Sequence, residues 1–212
     1  MKILVIGDVH GCYHTLSSLV EKYWKPEEQT LIQLGDLINK GPHSGKCIRY
    51  WQKLENDFPG KTVLLRGNHE QMLLDYFYKK KPEDSVKGLI HNIQTEGLRI
   101  EGVCEWLSQK ALKWETEGIL VTHAGISKSI KNPFDVTNSK GVLLNRSPLK
   151  RLDKIQVVGH TMIRGGKPVF NPKENAWFMD TGAWTKKYLS ALSISVNGEN
   201  PKVVREQRSE LD

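Results

Sequence analysis

KILVI, residues 2–6, is a short, nearly unbroken apolar run ended by Gly-Asp, the pattern of a strand buried on both faces that stops at a loop. TLSSLVEKYW (15–24) then places apolar residues at helical spacing and closes at Lys25-Pro26. TLIQL (30–34) repeats the strand pattern, and SGKCIRYWQKLENDF (44–58) the helical one, with Ser44 as the expected N-cap. TVLL (62–65) is a third strand entering RGNHEQMLLDYFYKK, where a helix is expected from near Glu70. Strand, helix, strand, helix, strand predicts a mainly parallel sheet with crossover helices.

Over 71–117 the character changes: MLLDYFYKKK, SVKGLIHNIQTEG and RIEGVCEWLSQKALKW all read as helical, so an insertion without strands is expected. ILVTHAG (119–125) and IQVVGHT (155–161) restore the strand-then-polar-loop pattern. The tail is β-rich, with KPVF, AWFMD, YLSALSISV and KVVRE. The expected fold class is α/β (α+β), two packed mixed β-sheets flanked by helices. One domain over 1–212 is expected, carrying the helical insertion at about 71–117.

Composition supports one full-sized core: 212 residues, 38% hydrophobic and 26% charged. The net charge of +7 is dispersed, with KKK at 79–81 the longest basic run, so neither a nucleic acid nor a membrane is expected as a partner. Cys12, Cys47 and Cys104 lie far apart with no CxxC pair, which signals neither a disulfide framework nor a zinc-thiolate site. MKILVIGDVHG enters a strand at once and lacks the features of a signal peptide, so a cytoplasmic location is expected.

Five places share one design, in which a buried strand ends and metal-capable side chains follow within a few residues. They are Asp8 with His10, Asp36, Asn68 with His69, His123, and His160. Parallel neighbours finish on one edge of a sheet, so such residues converge. Carboxylates, imidazoles and one amide oxygen suit divalent ions such as Mn, Fe or Zn. Alone, an Asp-x-His or a Gly-Asn-His is an ordinary turn; five strand-end occurrences in one chain are not.

GDVHG, GDLINKGP, RGNHE, THAG and VVGHT, in this order and with a helical insertion between the third and fourth, resemble the calcineurin-like metallophosphoesterases. More narrowly they resemble the small bacterial and phage PPP-type serine/threonine protein phosphatases. The resemblance implies a β-sandwich with two divalent metal ions, Mn foremost and Fe, Zn or Ni as alternatives. Asp8 and His10 would hold the first ion, Asp36 would bridge, and Asn68, His123 and His160 would hold the second. It further implies in-line attack of a hydroxide on phosphorus, with His69 as general acid. Arg66 matches a phosphate-binding arginine of the family, and Arg146, in LLNRSP, is a second candidate. His14, His43 and His91 match no motif and are expected at the surface, the tryptophans are expected in the core and lid, and Asp180 is read as structural.

The family's protein-phosphatase branch carries Asp-Arg-Gly where this chain has Asn39-Lys40-Gly41. Asn39 is expected to accept a hydrogen bond from His69 without bringing charge, and Lys40 to keep a cation while losing the guanidinium fork. The leading expectation is a phosphomonoesterase of the serine/threonine protein phosphatase kind, acting on a phosphorylated protein or a small phosphoester. The alternative is a symmetric dinucleoside (diadenosine) tetraphosphate hydrolase, a branch that also lacks that Asp and shares GDVHGCY. A non-catalytic binding scaffold of the same fold would show eroded ligands, and none is eroded here.

Overall fold

The computed structural model describes residues 1–81, 84–185 and 187–212. In chain order the first half comprises β1 (Lys2–Ile6), α1 (Tyr13–Tyr23), β2 (Gln29–Gln33), α2 (Ser44–Asp57), β3 (Thr62–Leu64) and α3 (Asn68–Lys79). Then come α4 (Asp84–Thr95), α5 (Ile100–Ser108), β4 (Lys113–Glu115), β5 (Ile119–Thr122) and β6 (Ile155–Val158). β7 (Val169–Asn171), β8 (Ala176–Phe178), β9 (Tyr188–Ser195) and β10 (Lys202–Gln207) complete the chain. Two five-stranded mixed sheets result, ordered β10-β9-β1-β2-β3 and β4-β5-β6-β8-β7. β1, β2 and β3 are parallel, as are β5, β6 and β8, while β9, β10, β4 and β7 join antiparallel.

The two-residue period of the strands sorts the core. Ile3, Val5 and Ile32 face the second sheet and pack with Val121, Val157, Leu192 and Ile194. Leu4, Ile6 and Leu31 face the other way, under the helices, with Leu16, Leu19, Ile48 and Trp51. β1 is covered on both faces, which is why it reads as an unbroken apolar run. All three cysteines are free and buried. No helix among the described residues is long and apolar enough to cross a membrane.

The expected insertion contains α3, α4 and α5, with residues 82 and 83 outside the described residues. It is not free of strands, however. Lys113–Glu115, which reads as the end of a helix, is β4, an edge strand pairing Trp114 with Val121. Ala111 bridges to Leu65 and Trp114 packs into the core between the sheets, so tertiary pairing overrides the local helical period. Two helix starts also differ from expectation. α1 begins at Tyr13, and α3 at Asn68. Ser44 is not a cap: His43 holds the N-cap position of α2, and Ser44 Oγ accepts the Asn39 N–H at 2.9 Å.

α1 has no local side-chain cap, and the need is met from the far end of the chain. Asp212 accepts hydrogen bonds from the N–H groups of His14 (2.9 Å) and Thr15 (2.8 Å) and from Thr15 Oγ1 (2.6 Å). His43 Nε2 donates to the Leu211 carbonyl at 2.8 Å. His14 and His43 are therefore half-buried under this segment instead of free at the surface, whereas His91 is exposed.

Candidate metal centre and active site

Each strand-end loop delivers its side chains to one edge shared by the two sheets. β1 leads to Asp8 and His10, β2 to Asp36, β3 to Asn68 and His69, β5 to His123 and β6 to His160. Asp36 lies at the centre, with Oδ2 3.6 Å from His10 Nε2, 3.5 Å from His123 Nε2 and 3.9 Å from His69 Nε2. Asn68 Oδ1 lies 3.0 Å from His123 Nε2 and 2.8 Å from His160 Nδ1. Asp8 Oδ2 accepts the His160 N–H at 2.9 Å, tying the first loop to the last.

The loops hold unusual backbone. His10, Asp36 and His160 have φ of 49°, 57° and 65°, and Asn39 and Lys40 follow with 73° and 66°. A left-handed non-glycine residue costs about 1–2 kcal/mol, so five in one cluster require strong compensating contacts. Much of that compensation comes from Glu70, which is fully buried. Its carboxylate accepts N–H groups from Asp36 (2.8 Å), Leu37 (2.9 Å), Ile38 (3.3 Å) and Gly67 (2.8 Å), lacing the β2 loop to the start of α3. Two glycines permit the close approach. A Cβ on Gly67 would stand 2.3 Å from Asp36 N, and one on Gly159 1.9 Å from Asp8 Oδ1.

The electrostatics are those of a cluster built for cations. Burial raises the Asp8 carboxyl well above its ordinary range, with the charges of Asp180 and Asp36 adding to it, and burial raises Asp36 as well. Burial lowers His123 and His160 to about 3 and pushes His10 well down, so these imidazoles are neutral, the form in which a histidine can bind a metal. Asp36 belongs to two groups whose ligand atoms lie within 4.8 Å of one another, His10–Asp36–His69 and Asp36–His123–His160. Asp8 Oδ1 and His160 Nε2 are buried with no protein partner. Such atoms are costly unless something positive occupies the space they face, so the residues fit divalent ions.

Asn39 departs from expectation. Its Oδ1 accepts the Lys40 N–H at 2.8 Å, so the amide nitrogen is the group that faces His69 Nδ1, at 2.9 Å. The amide therefore donates to the imidazole, and the His69 proton resides on Nε2, the nitrogen facing Asp36. His69 is lowered, chiefly by burial, with Asp36 acting against that and Lys40 adding to it. Lys40 is exposed, and its ammonium sits 4.7 Å from the centre of the Trp184 ring. Arg146 is also exposed, and its charge helps lower Asp36, His123 and His160. Arg66 is engaged elsewhere, donating to Gln71 Oε1 (3.1 Å) and the Lys110 carbonyl (3.2 Å).

Sequence reading missed three parts of this site. Glu70 is visible in the sequence only as a letter of RGNHE, although Glu three residues after the N-cap, here Gly67, is a recognisable N-terminal signal. The sequence places Trp184 with the core or lid tryptophans, and it stands edge-on to His10 with centroids 6.3 Å apart. Asp180 does play a structural part, accepting the Gly182 N–H at 2.9 Å, and its buried charge also bears directly on Asp8.

The profile of the calcineurin-like phosphoesterase family matches residues 1–189, and the chain belongs to that family. That family is one of metal-dependent phosphoric ester hydrolases that work with a dinuclear divalent centre. Among curated relatives, a symmetrical bis(5'-nucleosyl)-tetraphosphatase of Photorhabdus laumondii is 35% identical over 133 residues, 60% of this chain and 45% of that protein. One from Shewanella sp. (strain MR-7) is 32% identical over 159 residues, 72% of this chain and 54% of the other. The chain thus spans about half the length of these relatives. Among solved structures, a putative diadenosine tetraphosphatase superposes with a TM-score of 0.68 at 21% identity, covering 98% of this chain and 95% of that one. A Saccharomyces cerevisiae serine/threonine phosphatase similar to human PP5 gives 0.66 at 18%, covering 99% and 81%. At these identities both structures speak to the fold alone.

Proposed function

We propose that the chain hydrolyses a phosphoanhydride of a symmetric dinucleoside tetraphosphate, with Asp8, His10, Asp36, Asn68, His123 and His160 holding two divalent ions, Mn foremost. When bound, the ions supply the nucleophile and polarise the phosphoryl oxygens. Lys40 and Arg146, exposed cations beside the cluster, draw the polyphosphate in, and Arg66 joins them if Gln71 releases it. A water oxygen forms the new bond to phosphorus as the bond to the bridging oxygen breaks. His69 Nε2–H, fixed by the Asn39 donor at Nδ1, faces the departing oxygen.

The hydrogen bond from Asn39 carries the choice of substrate. An amide donor at Nδ1 opposes the second proton of an imidazolium, which leaves His69 a weak acid. A departing serine or threonine alkoxide is a strong base and needs a strong acid beside it. A departing nucleoside diphosphate is a weak base and does not. The curated relatives, tetraphosphatases by name, support the same choice.

The second reading is the serine/threonine protein phosphatase. RGNHE with Glu70 favours it. Rates on diadenosine tetraphosphate and on a phosphoserine peptide, for wild type and Asn39→Asp, separate the two. The proposal expects wild type to prefer the tetraphosphate and Asn39→Asp to raise peptide turnover relative to it. A wild-type preference for the peptide, or a ratio indifferent to Asn39→Asp, sinks it.

A further inference from the structure

A cavity of about 230 Å³ opens directly beside the metal cluster, with Asn68 forming part of its wall. We propose that this cavity, between α3 and the 136–144 segment, is a subsite for one nucleobase of the substrate. The inference rests on the tetraphosphate reading above and adds where the leaving nucleotide sits.

Size decides first. Pockets that enclose a whole drug-sized ligand run to ~300–1,000 Å³, so this one suits a single ring system with its phosphates left outside. Its chemistry decides next. Met72, Val136, Leu143 and Leu144 give it apolar walls. Leu144 is 38% exposed, although it is a large apolar side chain beside a strongly polar centre. Apolar walls of this kind cover the faces of a heterocycle and reject a hydrated phosphate.

The rim supplies polarity for the ring edge. Asp75 accepts from Gln71 Nε2 at 2.9 Å and pairs with Lys79 (2.7 Å) and Lys81 (3.3 Å). A carboxylate has about four acceptor positions, so Asp75 keeps one for an exocyclic amino group such as that of adenine. Gln71 in turn accepts from Arg66. The arginine that the family resemblance places on phosphate is thus wired to the rim of the cavity, and an occupant that displaced Gln71 would free its guanidinium toward the phosphates. Position completes the case. Asn68 is shared by the cavity and the cluster, while Asp75 lies seven residues, ~10 Å, further along α3, so a base held at the Asp75 end leaves room for its ribose and diphosphate to reach the phosphoryl group being attacked.

The test uses Leu144→Asn, an uncharged change at an exposed side chain that leaves the core intact and adds no charge to repel phosphate. Two substrates share the anhydride and differ in the base, diadenosine tetraphosphate and inorganic tetraphosphate. Two product inhibitors differ in the same way, ADP and inorganic pyrophosphate. The variant is expected to raise KM for the dinucleotide and the inhibition constant for ADP by ~5–10-fold, the equivalent of one lost apolar side-chain contact. Inorganic tetraphosphate and pyrophosphate should move by less than ~2-fold, the scale of a surface substitution. ADP inhibition unchanged by Leu144→Asn, or all four constants moving together, overturns the subsite while leaving anhydride hydrolysis intact. A wild-type enzyme that cleaves phosphoserine peptide and neither tetraphosphate overturns the substrate reading itself, and the subsite with it.

Discussion

Glu70→Gln is the sharpest test of how the site is held. Oε2 accepts the N–H groups of Asp36 and Gly67, and Oε1 those of Leu37 and Ile38. Glutamine keeps the shape and one of the two oxygens. Whichever way its amide turns, two buried N–H groups then face an NH2 donor. A buried donor left unpaired costs about 1–3 kcal/mol. The favoured rotamer sacrifices the Leu37 and Ile38 side, where the Ile38 bond is already long at 3.3 Å, so the expected loss is about 2–4 kcal/mol. Burial raises the Glu70 carboxyl to about 7, so the comparison belongs at pH 8, where the wild-type group is ionised. Urea unfolding followed by tryptophan fluorescence reads the difference. In a chain of this size each kcal/mol also lowers Tm by about 2–4 °C. A change within about 0.5 kcal/mol, the scale of an unremarkable surface substitution, would refute the role given to Glu70.

Other expectations follow from the same geometry. Lys40→Ala should raise KM about 3–10-fold and weaken its dependence on salt, since an exposed ammonium acts on phosphate as a screened point charge. If both kinetic constants stay as they were, the side chain serves only Trp184. His123 is held neutral with its pKa lowered from 6.5 to about 3, so its contribution to stability is present above 6.5 and lost as pH falls toward 3. Urea titrations across that range should show His123→Gln losing less stability on acidification than wild type, and equal slopes would contradict this. Asp212→Ala removes the carboxylate that caps α1 and should cost about 1–2 kcal/mol by the same assay. No loss would mean that water caps the helix equally well.

The convergence of the candidate ligands on one edge was legible in the sequence because it is local. Each candidate sits within a few residues of an apolar strand, and parallel strands end together whatever lies between them. The order β1-β2-β3 was legible for a similar reason, since those strands are joined by short βαβ connections. What escaped depends on distant partners. β4 is a strand only because β5 lies beside it, and the cap of α1 comes from Asp212, almost the full chain length away. Ser44 satisfies every local rule for an N-cap and serves the Asn39 N–H instead. The direction of the Asn39 amide could not be read either, because the Lys40 N–H decides it, and that N–H points at Oδ1 only in the left-handed conformation both residues adopt.

The most direct test of the central claim is a count of bound metal. Metal-stripped protein titrated with Mn by calorimetry, with elemental analysis of the separated complex, should bind two ions per chain. Asp36→Asn, which weakens the one ligand common to both groups, should bind at most one and lose hydrolysis of diadenosine tetraphosphate. Wild-type protein that binds no ion, or that hydrolyses the substrate undiminished in excess chelator, would contradict the account.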